Sequence, residues 1–120
     1  MTAIDYFKNI AETRIYQAGE IIYEVGDADD HMYAVRQGAV NILFNGEVME
    51  TIEPCGYFGE KSLIDDTPHT TTAVAKTNCV IVPVNEDRFL YLVHETPMFA
   101  LSMMRTMAAR TRRIAEMAMR

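Results

Sequence analysis

The sequence predicts a mainly β fold with flanking helices, in which a small β-roll precedes a short helix and a long C-terminal helix. Three observations support this prediction. Segments rich in Ile, Val, Tyr and Phe run through residues 19–84 and are separated by glycines. Asn45-Gly46 lies between two of these segments, as in a tight β-hairpin. After residue 97, apolar residues recur at the three-four spacing of an α-helix.

The size and composition of the chain indicate one globular domain. It has 120 residues, of which 49% are hydrophobic and 23% are charged. No apolar run is long enough to span a bilayer, and the first residues lack the basic region of a signal peptide. We therefore predict a single domain over residues 1–120 that is cytoplasmic and has no membrane partner.

The first element predicted is an N-terminal helical segment over residues 1–18. Ile4, Phe7 and either Ile10 or Ala11 share one side of a short helix at this spacing. From residue 19 the pattern changes to that of a β-roll, which we expect to extend to residue 84. Its strands are predicted at about 20–25, 31–36, 39–44, 47–52, 71–76 and 79–84.

Two features within the β-roll are specific. Val40, Ile42 and Phe44 alternate along one strand, and Asn45-Gly46 supplies two residues that tolerate positive φ in a type I′ turn. Pro83 interrupts the last strand and cannot donate a hydrogen bond to a neighbour, so it belongs at an edge or a bulge.

Residues 85–120 are predicted to form the C-terminal helices. Asn85 is a natural N-cap, and Glu86 and Asp87 occupy a first turn that favours acids. Thr96 and Pro97 then end this helix and begin the next. The apolar face of the first helix is predicted to consist of Phe89, Leu90, Leu92 and Val93.

The long helix, about 97–119, carries two apolar stripes and therefore predicts two packing partners. One stripe would cover the β-roll and the other would meet the same helix of a second chain, as a homodimer; alternatively, both pack on the same subunit. The predicted dimer seam consists of Leu101, Met104, Ala108, Thr111, Ala115 and Ala118. The second stripe consists of Met103, Met107, Arg110, Ile114 and Met117.

The charge is distributed unevenly along the chain. The net charge is −6, yet residues 99–120 sum to +4, which leaves −10 on the first 98 residues. Arginines spread around a helix are more typical of a solvated face than of a nucleic-acid site. We therefore expect no nucleic-acid partner without an additional domain.

The residues that could bind a metal are dispersed. Cys55 and Cys79 lack C-x-x-C spacing, and His31, His69 and His94 are far apart in the sequence. We predict two buried, reduced thiols, no metal and no cofactor.

Three stretches carry a resemblance to a known family. They are "AGEIIYEVGDADDHMYAVRQGAVNI", "YFGEKSLIDDTPHTTTAVA" and "VIVPVNEDRF", in this order. They resemble the cyclic-nucleotide-binding domain of catabolite-activator-type (Crp-Fnr-like) transcription factors, of the regulatory subunits of cyclic-AMP-dependent kinase and of cyclic-nucleotide-regulated channels. The resemblance implies a jelly-roll β-roll, a phosphate cassette over residues 57–75 and cyclic AMP or cyclic GMP as the ligand. It leaves open whether the chain is a free-standing sensor or part of a longer protein.

The resemblance also implies roles for the individual residues of the cassette. Gly59 lets the backbone approach a phosphate, with Ser62 in the turn that follows. Glu60 resembles the family glutamate that accepts the ribose hydroxyl, although a solvated acid or a cap is an alternative. Lys61 either approaches the anion or pairs with an acid at position 65 or 66.

His69 departs from the family, which has a phosphate-binding arginine at this position. A neutral histidine offers one donor where arginine offers a charged fork, so phosphate binding should weaken by roughly 10- to 150-fold. Thr70 and Thr71 still offer N–H groups and hydroxyls. At the place where polar residues read the base in the transcription factors, this chain has Ile114 and Ala115, which implies an apolar lid.

Two functions follow from these observations. The first is a regulatory module that binds a small ligand, with weakened or altered cyclic nucleotide binding and signalling through its C-terminal helix. The second is a protein-interaction or dimerisation module with a ligand-free cassette, which the methionine-rich helix favours. An enzyme is not expected, because Glu60 has no identifiable acid or base partner.

Overall fold

A computed structural model describes residues 4–120. Two four-stranded antiparallel sheets enclose the main core, in the strand orders β1-β8-β3-β6 and β2-β7-β4-β5. This architecture confirms the predicted β-roll with flanking helices. The strands are β1 Arg14–Tyr16, β2 Ile21–Tyr23, β3 Met32–Gln37, β4 Val40–Phe44, β5 Glu47–Ile52, β6 Tyr57–Phe58, β7 Thr72–Ala75 and β8 Cys79–Val84.

The predicted β-hairpin joins β4 to β5. Asn45 and Gly46 have φ values of 52° and 78°, so both central residues of the turn lie in the left-handed region that a type I′ turn requires. Phe44 pairs with Glu47 directly beside the turn. The hairpin prediction is confirmed.

Pro83 lies in β8 at a point where one side of the strand has no neighbour. Strand β1 pairs with β8 only as far as the Arg14–Ile81 pair, and Pro83 pairs with Tyr33 on the other side. The missing N–H of Pro83 therefore interrupts no ladder, as the edge prediction requires.

The predicted N-terminal helix is not formed in the described residues. Residues 6–9 form a turn, and residues 1–3 of the predicted segment lie outside the described part of the chain. Phe7 is buried, and Nη2 of Arg36 donates to the carbonyls of Phe7 and Ile10 at 2.9 Å and 2.8 Å. A helix this short is unfavourable to nucleate, and these carbonyls instead accept from a distant side chain.

The helices of the described residues are α1 Glu60–Asp65, α2 Glu86–Glu95 and α3 Pro97–Ala118. Asn85 caps α2 as predicted, with its side chain accepting from the N–H of Arg88 at 2.9 Å. The predicted apolar face of α2 was wrong at Leu90, which is 54% exposed. At 100° per residue, Leu90 points away from the face of Phe89, Leu92 and Val93 that packs on the core.

A second core fixes the start of α3 against the outer face of one sheet. Phe99 and Met103 are buried there beside Phe7 and Tyr57. The Tyr57 hydroxyl also lies 3.2 Å from Oγ of Ser102 and 2.9 Å from Oγ1 of Thr106. The first half of α3 is therefore part of the hydrophobic core, and the second half extends over the other end of the β-roll.

The two cysteines are free thiols, but only Cys79 is buried. Cys55 is half-buried, which corrects the prediction that both are buried. It lies in the turn between β5 and β6 with a φ of 75°, a backbone conformation typical of a tight turn at the surface.

Candidate functional site

A pocket of about 210 Å³ lies between the β-roll and the second half of α3. Apolar side chains of both sheets form its inner wall, among them Tyr23, Ile42 and Phe58. Of the predicted cassette, the pocket is lined by Gly59, Glu60, Lys61, His69, Thr70 and Thr71. From α3 it is lined by Met107, Arg110, Thr111 and Ile114.

Glu60 is buried in this pocket and binds an arginine of α3. It is 6% exposed, and Nη1 of Arg110 lies 2.9 Å from both of its carboxylate oxygens. Nε of Arg110 donates to Oε1 of Glu50 on β5, also at 2.9 Å. Glu60 is therefore not a solvated acid, and its side chain caps no helix.

Arg110 connects α3 to α1 and to β5 through its ion pairs with Glu60 and Glu50. Burial acts to lower the pKa of its guanidinium, but the carboxylates of Glu60 and Glu50 outweigh burial and hold that pKa above its ordinary value. In the sequence, Arg110 belongs to the second stripe of α3, and that pattern predicts no function for it. The signal was present, because a charged residue in an otherwise apolar, buried stripe requires an opposite charge.

His69 is buried, with both ring nitrogens bonded to protein groups. Nδ1 lies 3.1 Å from Oγ of Ser62 on α1, and Nε2 lies 3.0 Å from Oδ2 of Asp29. The ring stacks on Tyr23 with a centroid distance of 3.5 Å and an interplanar angle of 4°. His69 therefore contributes its ring to the pocket wall while its hydrogen-bonding capacity is already used.

Asp29, in the loop before β3, holds His69 in this position. The Tyr33 hydroxyl donates to Oδ2 of Asp29 at 2.7 Å, and the N–H of His31 donates to Oδ1 at 3.0 Å. Burial acts to raise the pKa of Asp29, but the hydrogen bonds from His69 and Tyr33 outweigh it and lower the pKa to about 2. The carboxylate is thus ionised, a role that no pattern in the sequence predicts for Asp29.

Backbone hydrogen bonds join the same loop to the cassette. The N–H of Gly26 donates to the carbonyl of His69 at 2.8 Å, and the N–H of His69 donates to the carbonyl of Asp27 at 3.0 Å. Asp29, Asp30 and His31 have potential metal-ligand atoms within 4.8 Å of one another. The Asp29 carboxylate is already bonded within the protein, so these contacts explain the group without a metal.

Two predicted cassette residues do not have side chains that are free to contact a ligand in the pocket. Ser62 is 1% exposed and lies behind the pocket wall, where it contacts His69 instead of the cavity. Lys61 lines the pocket, but its Nζ lies 3.7 Å from Oδ2 of Asp65 and also contacts the Thr67 hydroxyl. Of the two alternatives predicted for Lys61, the structure therefore has the one in which it pairs with an acid of its own helix.

The lid residues divide between the two faces of α3. Ile114 lines the pocket, whereas Ala115 is exposed on the outer face, one step of about 100° further around the helix. An apolar side chain therefore closes the pocket at the predicted position, and Ala115 does not contribute to it.

The two stripes of α3 face in different directions. Met103 is buried, and Met107, Arg110, Ile114 and Met117 are half-buried against the body of the protein. The interpretation in which both stripes pack on the same subunit is thus wrong for the described chain. All six residues of the predicted seam are exposed in the described chain, although Thr111 also lines the pocket; they are Leu101, Met104, Ala108, Thr111, Ala115 and Ala118.

Comparison with known proteins identifies the class. Residues 13–96 match the family model of the cyclic nucleotide-binding domain, so the chain belongs to that family. It is 34% identical, over 73 residues, to the cAMP-dependent protein kinase regulatory subunit of Eremothecium gossypii; the aligned region covers 61% of this chain and 16% of the relative.

Two solved structures have the same fold. The catabolite activator protein of Thermus thermophilus matches with a TM-score of 0.76 and 23% identity, covering 97% of this chain and 62% of that one. The cAMP-bound PfPKA-R matches with a TM-score of 0.79 and 23% identity, covering 89% of this chain and 37% of that one. This chain therefore spans less than two thirds of each of these relatives. Within residues 4–120, no helix is long and apolar enough to cross a membrane.

Proposed function

We propose that this domain is a regulatory module that binds a cyclic nucleotide weakly and signals through α3. The observation that supports this most directly is the pocket in which Glu60 meets the lid helix while both nitrogens of His69 are engaged elsewhere. Glu60, for which the family resemblance implies a ribose-binding role, lines the pocket. The phosphate would depend on backbone N–H groups and on the hydroxyls of Thr70 and Thr71.

The nearby cations are already paired, which is the reason for the weak binding. Lys61 is held by Asp65, and Arg110 is shared between Glu60 and Glu50. A phosphate that competes for either cation must displace a carboxylate. Compared with a site that has a free arginine, this loses about 1.5–3 kcal/mol of charge-assisted hydrogen bonding.

Signalling would follow from the competition for Glu60. A ribose hydroxyl that donates to Glu60 replaces one of its bonds from Arg110, which connects the second half of α3 to the cassette. The pocket of about 210 Å³ is also smaller than the roughly 300–1,000 Å³ typical of ligand sites. Ligand binding therefore favours a state in which the second half of α3 has moved outward, as a shift of population.

A homodimer through the exposed seam of α3 is part of this proposal. Leu101 is 37% exposed and Met104 is 61% exposed, which leaves apolar area uncovered in a single chain. The small side chains further along the seam would let two helices approach closely. Movement of α3 in one subunit would then change how the two subunits pack.

A ligand-free dimerisation module is the second candidate. It is favoured because Glu60 is bonded by Arg110 and His69 is bonded by Ser62 and Asp29, so neither side chain needs a ligand to satisfy it. An enzyme is less well supported. Ser62, His69 and Asp29 are the residue types of a hydrolytic triad, but Ser62 is 1% exposed and cannot meet a substrate.

Calorimetry separates the two candidates. Titration of the chain with cyclic AMP and cyclic GMP, at pH 6 and pH 8, is expected to give weak binding that needs high ligand concentrations. The His69→Arg variant is expected to bind roughly 10- to 150-fold more tightly, because it restores a permanent cation beside the cassette.

The matched control is His94→Arg, which adds the same charge at a residue whose side chain is 86% exposed. It should leave nucleotide affinity unchanged. If neither the original chain nor His69→Arg gives heat with millimolar nucleotide, the ligand-free module is the correct function.

Sedimentation tests the dimer. The chain is expected to sediment as a dimer, and Leu101→Glu or Met104→Glu is expected to make it monomeric by placing a charge in an apolar contact. Ala109→Glu adds the same charge at an exposed position of α3 outside the seam, and it should preserve the dimer. A dimer that survives both seam substitutions would exclude this interface.

A further inference from the structure

A second cavity, of about 630 Å³, opens on the side of α1 that faces away from the pocket. It runs between α1 and the start of α2, and we refer to it as the α1–α2 groove. Leu63 and Phe89 are half-buried in its wall, and Ile64 and Leu90 are 45% and 54% exposed at its edges. One exposed apolar side chain, Ile64 from α1 and Leu90 from α2, therefore borders the groove on each side.

The rim of the α1–α2 groove is acidic. Asp30, Asp66, Glu86 and Asp87 are all exposed around it, and no lysine or arginine of residues 4–120 lines it. Acids in the first turn of α2 are explained in part by the helix dipole. The dipole does not explain Asp30 and Asp66, which come from two other elements, or the apolar side chains that border the groove.

We propose that the α1–α2 groove binds a basic amphipathic helix of a partner protein. Two apolar side chains of that helix, one turn apart, would cover Leu63, Ile64 and Leu90, and flanking lysines or arginines would face the acidic rim. The charge of −10 on the first 98 residues would steer such a segment toward this side.

The basic helix α3 of a second copy is a poorer occupant. Its insertion into the groove would be a head-to-tail contact, which produces open chains of subunits unless the rotation closes. The groove is also separate from the nucleotide pocket. Glu60, Lys61 and Asp65 face the pocket, whereas Leu63, Ile64 and Asp66 face the groove. The groove and the pocket therefore use different side chains, although both are built on α1.

Fluorescence anisotropy with synthetic peptides tests the proposal. The probe is a labelled 14-residue helix with leucines at three-four spacing and lysines or arginines elsewhere. It is expected to bind the full chain at least tenfold more tightly than a peptide with serine at the leucine positions. A peptide with glutamate at the basic positions should not bind.

Two variants locate the binding site. Glu86→Lys combined with Asp87→Lys, and separately Leu90→Ser, are each expected to weaken binding of the basic peptide by at least tenfold. The matched controls are Glu53→Lys combined with Glu116→Lys, and Met98→Ser, which change exposed residues elsewhere. Thermal melts verify that each variant is folded, and Leu90→Ser carries the test if the charge reversal unfolds α2.

Three outcomes would overturn the proposal. Equal binding of the serine peptide, or an equal loss in the control variants, would mean that the peptide follows surface charge alone. Self-association of the chain that Leu90→Ser abolishes would identify a second copy as the occupant. Failure of nucleotide binding in calorimetry would leave the peptide result unaffected.

Discussion

Replacing Arg110 with alanine is expected to lower the free energy of unfolding by about 3–5 kcal/mol, because it leaves the buried carboxylate of Glu60 without its cation. Glu60 is 6% exposed, whereas Glu50 is half-buried and keeps Arg113 at 3.7 Å. Urea denaturation of the variant and the original chain measures the difference. The same substitution should release the second half of α3 from the cassette.

Two further variants make this result specific. Arg112→Ala removes an exposed arginine of the same helix, and it should change the free energy of unfolding by less than about 0.5 kcal/mol. Adding Glu60→Gln to Arg110→Ala should recover part of the loss, since the amide carries no charge. A loss below about 1 kcal/mol for Arg110→Ala would show that the ion pair does not hold α3.

Replacing Asp29 with asparagine is expected to lower the free energy of unfolding at pH 7 by about 2 kcal/mol. This change in the free energy of unfolding follows from the pKa of Asp29, which is about 2 in the folded protein and ordinarily 3.8. Because the folded pKa is depressed, this stabilisation is present above pH 4 and is lost as the pH falls toward 2. Urea denaturation at several pH values measures it.

The control is the next residue. Asp30→Asn changes the same side-chain type, but the side chain of Asp30 is 85% exposed and, within residues 4–120, its carboxylate bonds to the ring of His31 alone. It should produce little change at any pH. If the two variants show the same dependence on pH between 2 and 5, Asp29 does not stabilise the cassette through His69.

The β-roll could be predicted because its signals are local. The Asn45-Gly46 turn, Pro83 and the N-cap at Asn85 each act within a few residues of themselves, and all three are confirmed. Strands β1 and β6 were not predicted, because they have three and two residues and exist only through pairing with distant strands. A period-two pattern cannot be recognised over so few positions.

The candidate site could likewise be predicted only in part from the sequence. The order Gly59, Glu60 and His69 is readable in the sequence, and the family resemblance gave these residues their expected roles. What could not be read was the set of partners from remote positions: Asp29 meets His69 across 40 residues, and Arg110 meets Glu60 across 50. Such contacts depend on how β3, α1 and α3 pack, and no local spacing encodes them.

The uneven anchoring of α3 has a consequence for the rate at which a ligand leaves. Its first half is fixed by the buried Phe99 and Met103, whereas its second half is held by the ion pairs of Arg110 and Arg113 and by half-buried apolar side chains. Under the proposed function, opening of the lid would require these two arginines to separate from their carboxylates, and the packed half of the helix would stay in place. The residence time of a bound molecule would then depend on how often these ion pairs open, and a weak ligand would exchange quickly enough for the domain to follow changes in its concentration.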